Sequence, residues 1–443
     1  MKKTALMIMI LLVAVSAYLF SAEEMNLTID KAIDLALKNN KNYLISQAEV
    51  KQYKYKLRQN LGFLPNVTLE GFKNIDEKLM ELEIPPFFPG AEPTTTTIDF
   101  TKNYEFTFQV VQPVFAGGKI LYSYKNARLD LNIARERHKN TRKEVILQVK
   151  KVFFNILVMK ELLKAHNEAL QLAETNYRNI NENYKLGMAS KYDLLRAELA
   201  AASIKPNILN VQKLLNVSIL NLKFMAGIPE KSKIKVLGKL NYSSYPLTLA
   251  HLIDQSLVTR SEIRQLEMQM KKTANLLKMA YGQFLPDISL IASYSYRSDF
   301  FNFGKNNWDS YYTINLGISF PIFTGLKRSA QIGEIKVMKK ILNLNYKQLK
   351  ETTKLQIHEL YMTIQQEYEN IQAGLKNIET AEEGVRIAEL TYNEGLISIL
   401  ELNTSTNDLT MAKVNFLQAV YNYNIAAAEL EKISGIKING GNE

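Results

Sequence analysis

The side chains that most often bind metals or carry out catalysis are scarce in this chain. Its 443 residues include four histidines and no cysteine, so disulfide bonds and thiolate metal sites are excluded. The histidines are His138, His166, His251 and His358. They lie far apart, without the short spacing of a metal site and without a partner nucleophile. We therefore predict no catalytic residue, no metal site, no cofactor and no enzyme.

A glycine-rich segment at residues 117–119, Gly-Gly-Lys, has the composition of a phosphate-binding loop. It lacks the second glycine at the required spacing and the Ser or Thr after the lysine. In a matching segment at residues 325–327, Leu326 replaces the second glycine. We interpret both segments as backbone turns from a strand into a helix. The residues assigned to these turns are Pro113, Gly117, Pro321 and Gly325.

The charge of the chain does not indicate a nucleic-acid-binding protein. The net charge is +11, but we interpret the basic residues as scattered along helix faces rather than clustered with aromatic residues. This pattern is typical of solvated helix surfaces. No nucleic acid partner is predicted.

Two long helices organise the chain. Apolar residues recur at alternating steps of four and three from Ala127 to Tyr184, which is an uninterrupted heptad pattern. The same register returns from Ile335 to Tyr392. About seventy helical residues make a rod on the order of 100 Å long. His138 and His166 fall on the first of these seams, where a packed or pore-facing imidazole is favoured over a metal ligand.

Each long helix ends in the same Tyr-x-x-Gly tip and is followed by a return helix about half as long. Glycine supplies the positive φ of a helix C-terminus, and Ser190 and Ser398 are predicted N-caps of the return helices. Pro206 is predicted to kink the first of them. The tip residues are Tyr184, Gly187, Tyr392 and Gly395.

Two pairs of strands precede the long helices. Apolar and polar residues alternate at about 65-74, 103-114, 286-297 and 311-321, and strands of about ten residues cross a bilayer when tilted. Aromatic residues at the strand ends resemble membrane-interface girdles. A soluble sheet packed on a helix is the alternative. Before each pair a single helix is predicted, at 27–61 with Thr28 as N-cap and at 247–281.

The repeat defines the domain organisation. Residues 1-22 have the pattern of a secretory signal peptide, with a membrane anchor as the alternative. The remaining segments are a first structural repeat at 23-226, an inter-repeat linker at 227-246, a second repeat at 247-436 and a C-terminal tail at 437-443. Four strands cannot close a barrel in lipid, so we expect oligomerisation, with a dimer as the minimum and twelve strands in a trimer.

The tandem order of helix, strand pair, long helix, Tyr-x-x-Gly tip and return helix resembles the outer membrane efflux protein family of TolC-like channels, from Leu27 to Ile436. The resemblance implies a mainly α fold with a small β part. Long helical hairpins would form a periplasmic α-barrel, and four β-strands per chain would contribute to a 12-stranded transmembrane β-barrel in a homotrimer. The implied location is the outer membrane, with the helices in the periplasm and the linker in an equatorial region.

The resemblance also implies a function. The trimer would be a passive exit duct of a tripartite efflux pump or a type I secretion system, gated at the helix tips. Its partners would be a periplasmic adaptor protein, an inner-membrane transporter and outer membrane lipid. A secreted coiled-coil scaffold or adhesin without a pore is the alternative.

Gating residues carry over position by position. A family link joins an Asp six residues after the first tip glycine to a Tyr three before the second, which here are Asp193 and Tyr392. An acidic ring at the mouth corresponds to Glu401. This sequence departs from the pattern at Ile397, where the type member has Arg, and at Thr404, where many members have Asp. This sequence therefore lacks the arginine of the latch and the aspartate of one acidic ring.

Overall fold

The computed structural model describes residues 25–75, 80–85, 88, 90, 94–98, 104–243, 248–302 and 308–436. The predicted signal peptide and C-terminal tail lie outside these residues. In chain order the elements are β1 (Met25–Leu27), α1 (Ile29–Asn39), α2 (Lys41–Gln59), β2 (Asn66–Lys73), β3 (Met80–Ile84), β4 (Thr94–Ile98), β5 (Tyr104–Ala116), α3 (Lys119–Lys185), α4 (Lys191–Ala226), β6 (Ile234–Val236), α5 (Leu249–Thr259), α6 (Ser261–Gly282), β7 (Asp287–Ser298), β8 (Asp309–Ser319), α7 (Lys327–Asn393) and α8 (Ile399–Ser434).

The predicted fold class, mainly helical with two long helical hairpins and a small β part, is confirmed. Helices α3 and α7 have 67 residues each, and the return helices α4 and α8 have 36 each. Most positions of the heptad seams are buried or partly buried, and Val149, Ile156, Ile357 and Ile371 are completely covered. None of the helices in the described part of the chain is both long and apolar enough to cross a membrane.

The residues group into two compact units. One contains residues 1–50, 134–265 and 346–443, and the other contains 51–133 and 266–345. The first holds the helical hairpins, the linker and strands β1 and β6. The second holds the other six strands and the helix ends that flank them. Both predicted repeats contribute to both units.

Two apolar cores of similar composition hold the hairpin unit together. In one, Phe153 and Ile156 of α3 pack with Leu222 of α4 and with Ala36 of α1. In the other, Ile357 and Ile364 of α7 pack with Leu252 of α5 and Tyr423 of α8, and the Tyr423 hydroxyl donates to the Ser243 carbonyl oxygen at 2.6 Å. Each long helix is therefore held by its return helix and by one short helix.

The predictions of one continuous helix at 27–61 and of another at 247–281 are both wrong. Thr28 is the expected N-cap, since its side chain accepts from the Lys31 N–H, but the helix ends at Asn40. Asn40 is extended, its N–H donates to the Ala36 carbonyl oxygen, and its side chain accepts from the Asn42 N–H at 3.0 Å. Asn40 thereby caps both α1 and α2, and Arg260 occupies the corresponding break between α5 and α6.

Four short strands were not predicted. Strand β1 pairs in parallel with β6 of the linker, in the register Met25 to Ile234. Strands β3 and β4 form a two-stranded antiparallel sheet within the connection from β2 to β5, which the sequence analysis left without strands. The first of these pairings joins the start of repeat one to the linker.

The principal sheet has four antiparallel strands in the order β2-β5-β7-β8. Leu69, Phe108, Tyr294 and Tyr312 form one row across it, and most of this apolar face is exposed. The opposite face carries polar side chains, such as Ser293 and Thr313 in hydrogen-bond contact at 2.7 Å. The period-two pattern thus separates an apolar face from a polar one, and β2 and β8 are the edge strands.

Candidate functional site at the tips of the helical hairpins

The two tips have the same backbone structure. The Gly187 N–H donates to the Tyr184 carbonyl oxygen and the Met188 N–H to that of Asn183; at the second tip the Gly395 N–H donates to Tyr392 and the Leu396 N–H to Thr391. This is a Schellman-type helix end. Both glycines have a φ of +74°, which explains why glycine stands at each tip.

Asp193 and Glu401 fix the start of the two return helices. The Ser190 side chain accepts from the Asp193 N–H, and the Asp193 carboxylate accepts from the Ser190 hydroxyl at 2.6 Å. Ser398 and Glu401 repeat this arrangement, with the Ser398 N–H donating to Glu401 Oε2 at 2.8 Å. Both are complete capping boxes. The serines were predicted as N-caps, but the capping role of the acidic residues was not predicted, although Ser-x-x-Asp and Ser-x-x-Glu are recognisable signatures.

The tips of the two hairpins pack against each other within one chain. Ile180 of α3 and Ala388 of α7 lie in one buried cluster with residues from the start of both return helices. Those residues are Leu194, Ala197, Ile399 and Leu402. Tyr392 and Ile397 lie at its margin, partly buried. The site therefore brings Asp193 and Tyr392, which are far apart in the sequence, into one region.

Tyr392 has an unusual electrostatic environment. Burial raises the pKa of its hydroxyl, and the negative charge of Asp193 raises it further. The Asp193 side chain is engaged with Ser190. In this chain the Asp193–Tyr392 relation is thus a through-space electrostatic one.

The tips expose apolar side chains to solvent. Leu186, Met188 and Leu396 are 73%, 77% and 70% exposed. Tyr184 lies beside them, with the Lys191 ammonium 5.4 Å from its ring centroid. Within the described residues no atom lies within 4 Å of a Cβ built on Gly187 or Gly395. The tips therefore combine a rigid turn with an accessible apolar surface.

The strand-to-helix turns differ in their surroundings. Gly117 and Gly325 both have positive φ values, +57° and +61°. A Cβ on Gly117 would collide with the Gly282 carbonyl oxygen, whereas one on Gly325 has open space. Pro113 lies at a register shift between β5 and β7, and the Pro321 carbonyl oxygen accepts from Arg328 at 2.9 Å.

The seam histidines are packed. His138 Nδ1 lies 2.8 Å from the Ser46 hydroxyl, and its ring stacks on Tyr43 at a centroid distance of 4.7 Å. Burial lowers the pKa of His166. Across the described ranges, no three His, Cys, Asp or Glu residues are grouped so as to hold a metal ion. The contacts of His138 indicate helix packing, and His166 is partly buried on the same seam.

Comparison with known families decides the identity. The family model of the outer membrane efflux protein matches residues 32–228 and 252–436, which includes both long hairpins and all four strands of the principal sheet. The chain belongs to the outer membrane efflux protein family. The resemblance inferred from the sequence is thereby confirmed, as is the outer membrane location with periplasmic helices.

Individual relatives of this efflux protein are distant. Nodulation protein T of Rhizobium leguminosarum bv. trifolii is 20% identical over 62% of this chain and 60% of its own length. The probable efflux pump outer membrane protein TtgC of Pseudomonas putida is 22% identical over 63% of this chain and 57% of its own length. The chain thus matches about 60% of the length of these curated relatives.

Solved structures show the same fold. The crystal structure of the outer membrane protein VceC from Vibrio cholerae superposes with a TM-score of 0.77 at 16% identity, covering 93% of this chain and 97% of that one. The Campylobacter jejuni CmeC outer membrane channel gives 0.76 at 18% identity, over 94% and 87% of the two chains. The fold of this efflux protein is therefore that of solved outer membrane channels.

Proposed function

We propose that three copies of this chain form an outer membrane exit duct. Each copy would contribute β2, β5, β7 and β8 to a shared barrel of twelve strands, and the hairpins would form a tunnel in the periplasm. The duct would be a passive conduit for an efflux pump or a type I secretion system. The name of the relative TtgC, a probable efflux pump protein, favours the first of these.

The open edges of the sheet carry this proposal. Strands β2 and β8 are the edges of the sheet formed by one chain. In lipid, each unpaired backbone N–H or C=O costs several kcal/mol, so a membrane-spanning sheet has to close. Pairing of β8 with β2 of the next copy supplies that closure, in the same antiparallel manner in which β7 pairs with β5 within one chain.

The two faces of the sheet support the same arrangement. The exposed apolar face, with Leu69, Ile314 and Leu316, would contact lipid. The polar face, where Thr107 and Ser295 are in hydrogen-bond contact at 2.8 Å, would line the lumen. Alternation of this kind is characteristic of transmembrane barrels.

The domain organisation remains part of the proposal. The segments would be the two repeats at 23-226 and 247-436, joined by the linker at 227-246. The pairing of β6 with β1 and the hydrogen bond from Lys160 Nζ to the Val236 carbonyl oxygen at 2.7 Å support a role for the linker in bracing the first long helix at an equatorial level.

Gating is assigned to Asp193, Tyr392 and Glu401. Asp193 and Tyr392 lie at the contact between the two hairpins, where opening of the tips would separate them. Glu401 carboxylates from three copies would place negative charge at the mouth and favour cations. Ile397, partly buried in the tip cluster, supplies packing at the position where the type member has Arg.

Docking of a periplasmic adaptor is assigned to Gly187, Gly395 and the exposed apolar residues beside them. Gly395→Trp introduces a bulky side chain at a positive-φ position in open space, so the trimer should still assemble. We expect loss of efflux with normal amounts of trimer in outer membrane fractions. Normal efflux by this variant would refute the docking role, and Gly384→Trp, at an exposed helical glycine of α7 away from the tip, is the matched control.

The experiment that tests the duct itself is reconstitution. We expect heat-modifiable trimers in outer membrane fractions and discrete conductance in planar bilayers. A protein that stays outside the membrane fraction and gives no conductance would instead be a secreted coiled-coil scaffold or adhesin.

A further inference from the structure

Four helix ends lie at one end of the strands of the principal sheet. Six residues separate the end of α2 from the start of β2, and α6 ends shortly before β7. Helices α3 and α7 begin shortly after β5 and β8. Ala116 pairs with Asp287, and Asp287 pairs with Ser319, which places these connections at the same end of the strands. The ammonium of Lys119, at the start of α3, contacts the carboxylate of Asp287, at the start of β7, at 2.8 Å. Residues distant in the sequence are therefore assembled here.

The helix segments at this end of the strands are strongly basic. Residues 51–59, 119–128, 273–282 and 327–336 contain eleven Lys and Arg residues and one acidic residue, Glu334. They lie within roughly 15 Å of rise from the helix ends. These segments hold nearly the whole net charge of the chain, which is +11. We call the following residues the basic band: Lys51, Lys54, Lys56, Arg58, Lys119, Lys125, Arg128, Lys278, Lys327, Arg328 and Lys336.

The charges of the basic band are available to a partner. Nine of the eleven side chains are exposed, the exceptions being the half-buried Lys119 and Arg328. In the described part of the chain, Lys119 is the only member with a carboxylate at salt-bridge distance. A concentration of like charge without internal compensation opposes folding by self-repulsion, and an anionic partner relieves that repulsion.

Tyrosine rings are interleaved with these charges. The Lys56 ammonium lies 4.8 Å from the Tyr53 ring centroid, and the Arg58 guanidinium 5.7 Å from that of Tyr55. Lys125 and Lys278, from two different helices, both lie over Tyr122, at 5.2 and 5.4 Å. Amphipathic tyrosines with long basic side chains are the residues that settle at the headgroup level of a bilayer.

A layer of exposed apolar residues separates the basic band from the sheet. In the turn before α7, Ile322, Phe323 and Leu326 are 89%, 81% and 75% exposed. Phe63 and Leu64 before β2 are also exposed, as are Phe284 and Leu285 before β7. From sheet to helix, the order is apolar strand face, apolar turn, tyrosine and lysine, which follows the polarity gradient from acyl chain to phosphate.

We propose that the basic band is a binding surface for the headgroups of anionic phospholipids in the leaflet on the helix side of the sheet. This rests on the proposed function, because it requires the sheet to be embedded in the membrane. Phosphate groups supply the negative charge that the band lacks, and the exposed apolar turns insert beside the acyl chains. Binding is electrostatic, so it weakens with salt.

The test compares lipids and charge variants on the purified full-length trimer in neutral detergent. Binding of short-chain phosphatidylglycerol and of phosphatidylcholine is titrated by the shift of the thermal unfolding curve. We expect tighter binding of phosphatidylglycerol, and Lys54→Gln/Lys56→Gln/Lys125→Gln/Lys336→Gln should weaken it by about tenfold or more. Four exposed lysines of the hairpin unit changed to Gln serve as the control with the same charge loss and should leave binding unchanged. These are Lys213, Lys231, Lys354 and Lys376.

Two outcomes overturn the inference. Equal affinity for the two lipids, or equal loss in band and control variants, removes the lipid-binding role. A changed reversal potential of the band variant with unchanged lipid affinity assigns these lysines to the lumen instead. Absence of conductance from the wild-type protein in phosphatidylcholine bilayers is a separate result, because it refutes the duct and not the surface.

Discussion

The contact between Gly117 and Gly282 gives the sharpest stability prediction. A Cβ on Gly282 would overlap the Gly117 carbonyl oxygen, and the obstacle is backbone, not a flexible side chain. Gly282 is the last residue of α6 and has no positive φ, so Gly282→Ala tests the contact without added backbone strain. Gly333→Ala is the matched control, because Gly333 is also helical and has no atom within 4 Å of the built Cβ among the described residues.

The magnitudes follow from two opposing effects. Alanine in place of glycine favours a helix by up to about 1 kcal/mol, which applies to both variants, though less fully at the helix end. Overpacking at Gly282 costs about 1–3 kcal/mol. Gly333→Ala should therefore be neutral or stabilising, and Gly282→Ala should be less stable than it by about 1–3 kcal/mol.

The assay is urea unfolding of the detergent-solubilised full chain, followed by the helical circular dichroism signal. A lower midpoint for Gly282→Ala at an unchanged slope reports a loss of stability without a change in the exposed surface. Coinciding curves for the two variants would refute the reasoning, since they would mean that the two turns are not held in backbone contact.

Three further predictions concern the tips. Ser398→Ala removes a capping box and should cost about 1 kcal/mol of stability in the same urea assay; an unchanged midpoint would show that the cap contributes nothing. Glu401→Gln keeps a residue that can complete the capping box but removes the charge, so the reversal potential of the single channel should shift away from cation selectivity, and an unchanged value rules out the acidic ring. The pKa of Tyr392 is raised above the unfolded value of about 10, first by burial and then by Asp193. The raised pKa stabilises the folded state at pH values below the unfolded pKa. This stabilisation is lost as the pH rises through the pKa of Tyr392 in the folded state. Asp193→Asn should lower the pKa of Tyr392 partly, in an ultraviolet titration that takes Tyr392→Phe as its blank, and an identical titration in Asp193→Asn would contradict the assigned charge effect.

The long helices were predictable because their signal is long and periodic. The seam from Ala127 to Tyr184 repeats over many turns, and its members Val149 and Ile156 are fully buried. The break at Asn40 was missed because apolar residues continue on both sides of it, and only the two hydrogen bonds to the Asn40 side chain reveal a second helix start. Short strands such as β1 carry too few residues for a period to be recognised.

The interpretation of charge shows a different kind of error. The basic residues were predicted to be scattered along helix faces, but residues 51–58 hold four of them together with Tyr53 and Tyr55. The fold gathers Lys56, Lys125 and Lys278 from separate segments and places them over tyrosines. The other three segments of the basic band hold only one to three basic residues each, so none of them predicts the assembled surface. The tip acids are the opposite case, because residues 190–193, Ser-Lys-Tyr-Asp, are sufficient to predict the capping role of Asp193.

The pairing of β5 with β7 has a kinetic consequence. It joins Glu105 to Arg297, 192 residues apart in the sequence, and this long loop has to close before the sheet gains a third strand, which makes the step slow. The step is nevertheless unimolecular, and in the proposed trimer the pairing of β8 with β2 of another copy is not. Weakening the β5–β7 pairing should delay maturation of the protein equally at every expression level. A delay caused by weakening the pairing of β8 with β2 of another copy should instead be reduced by producing more protein.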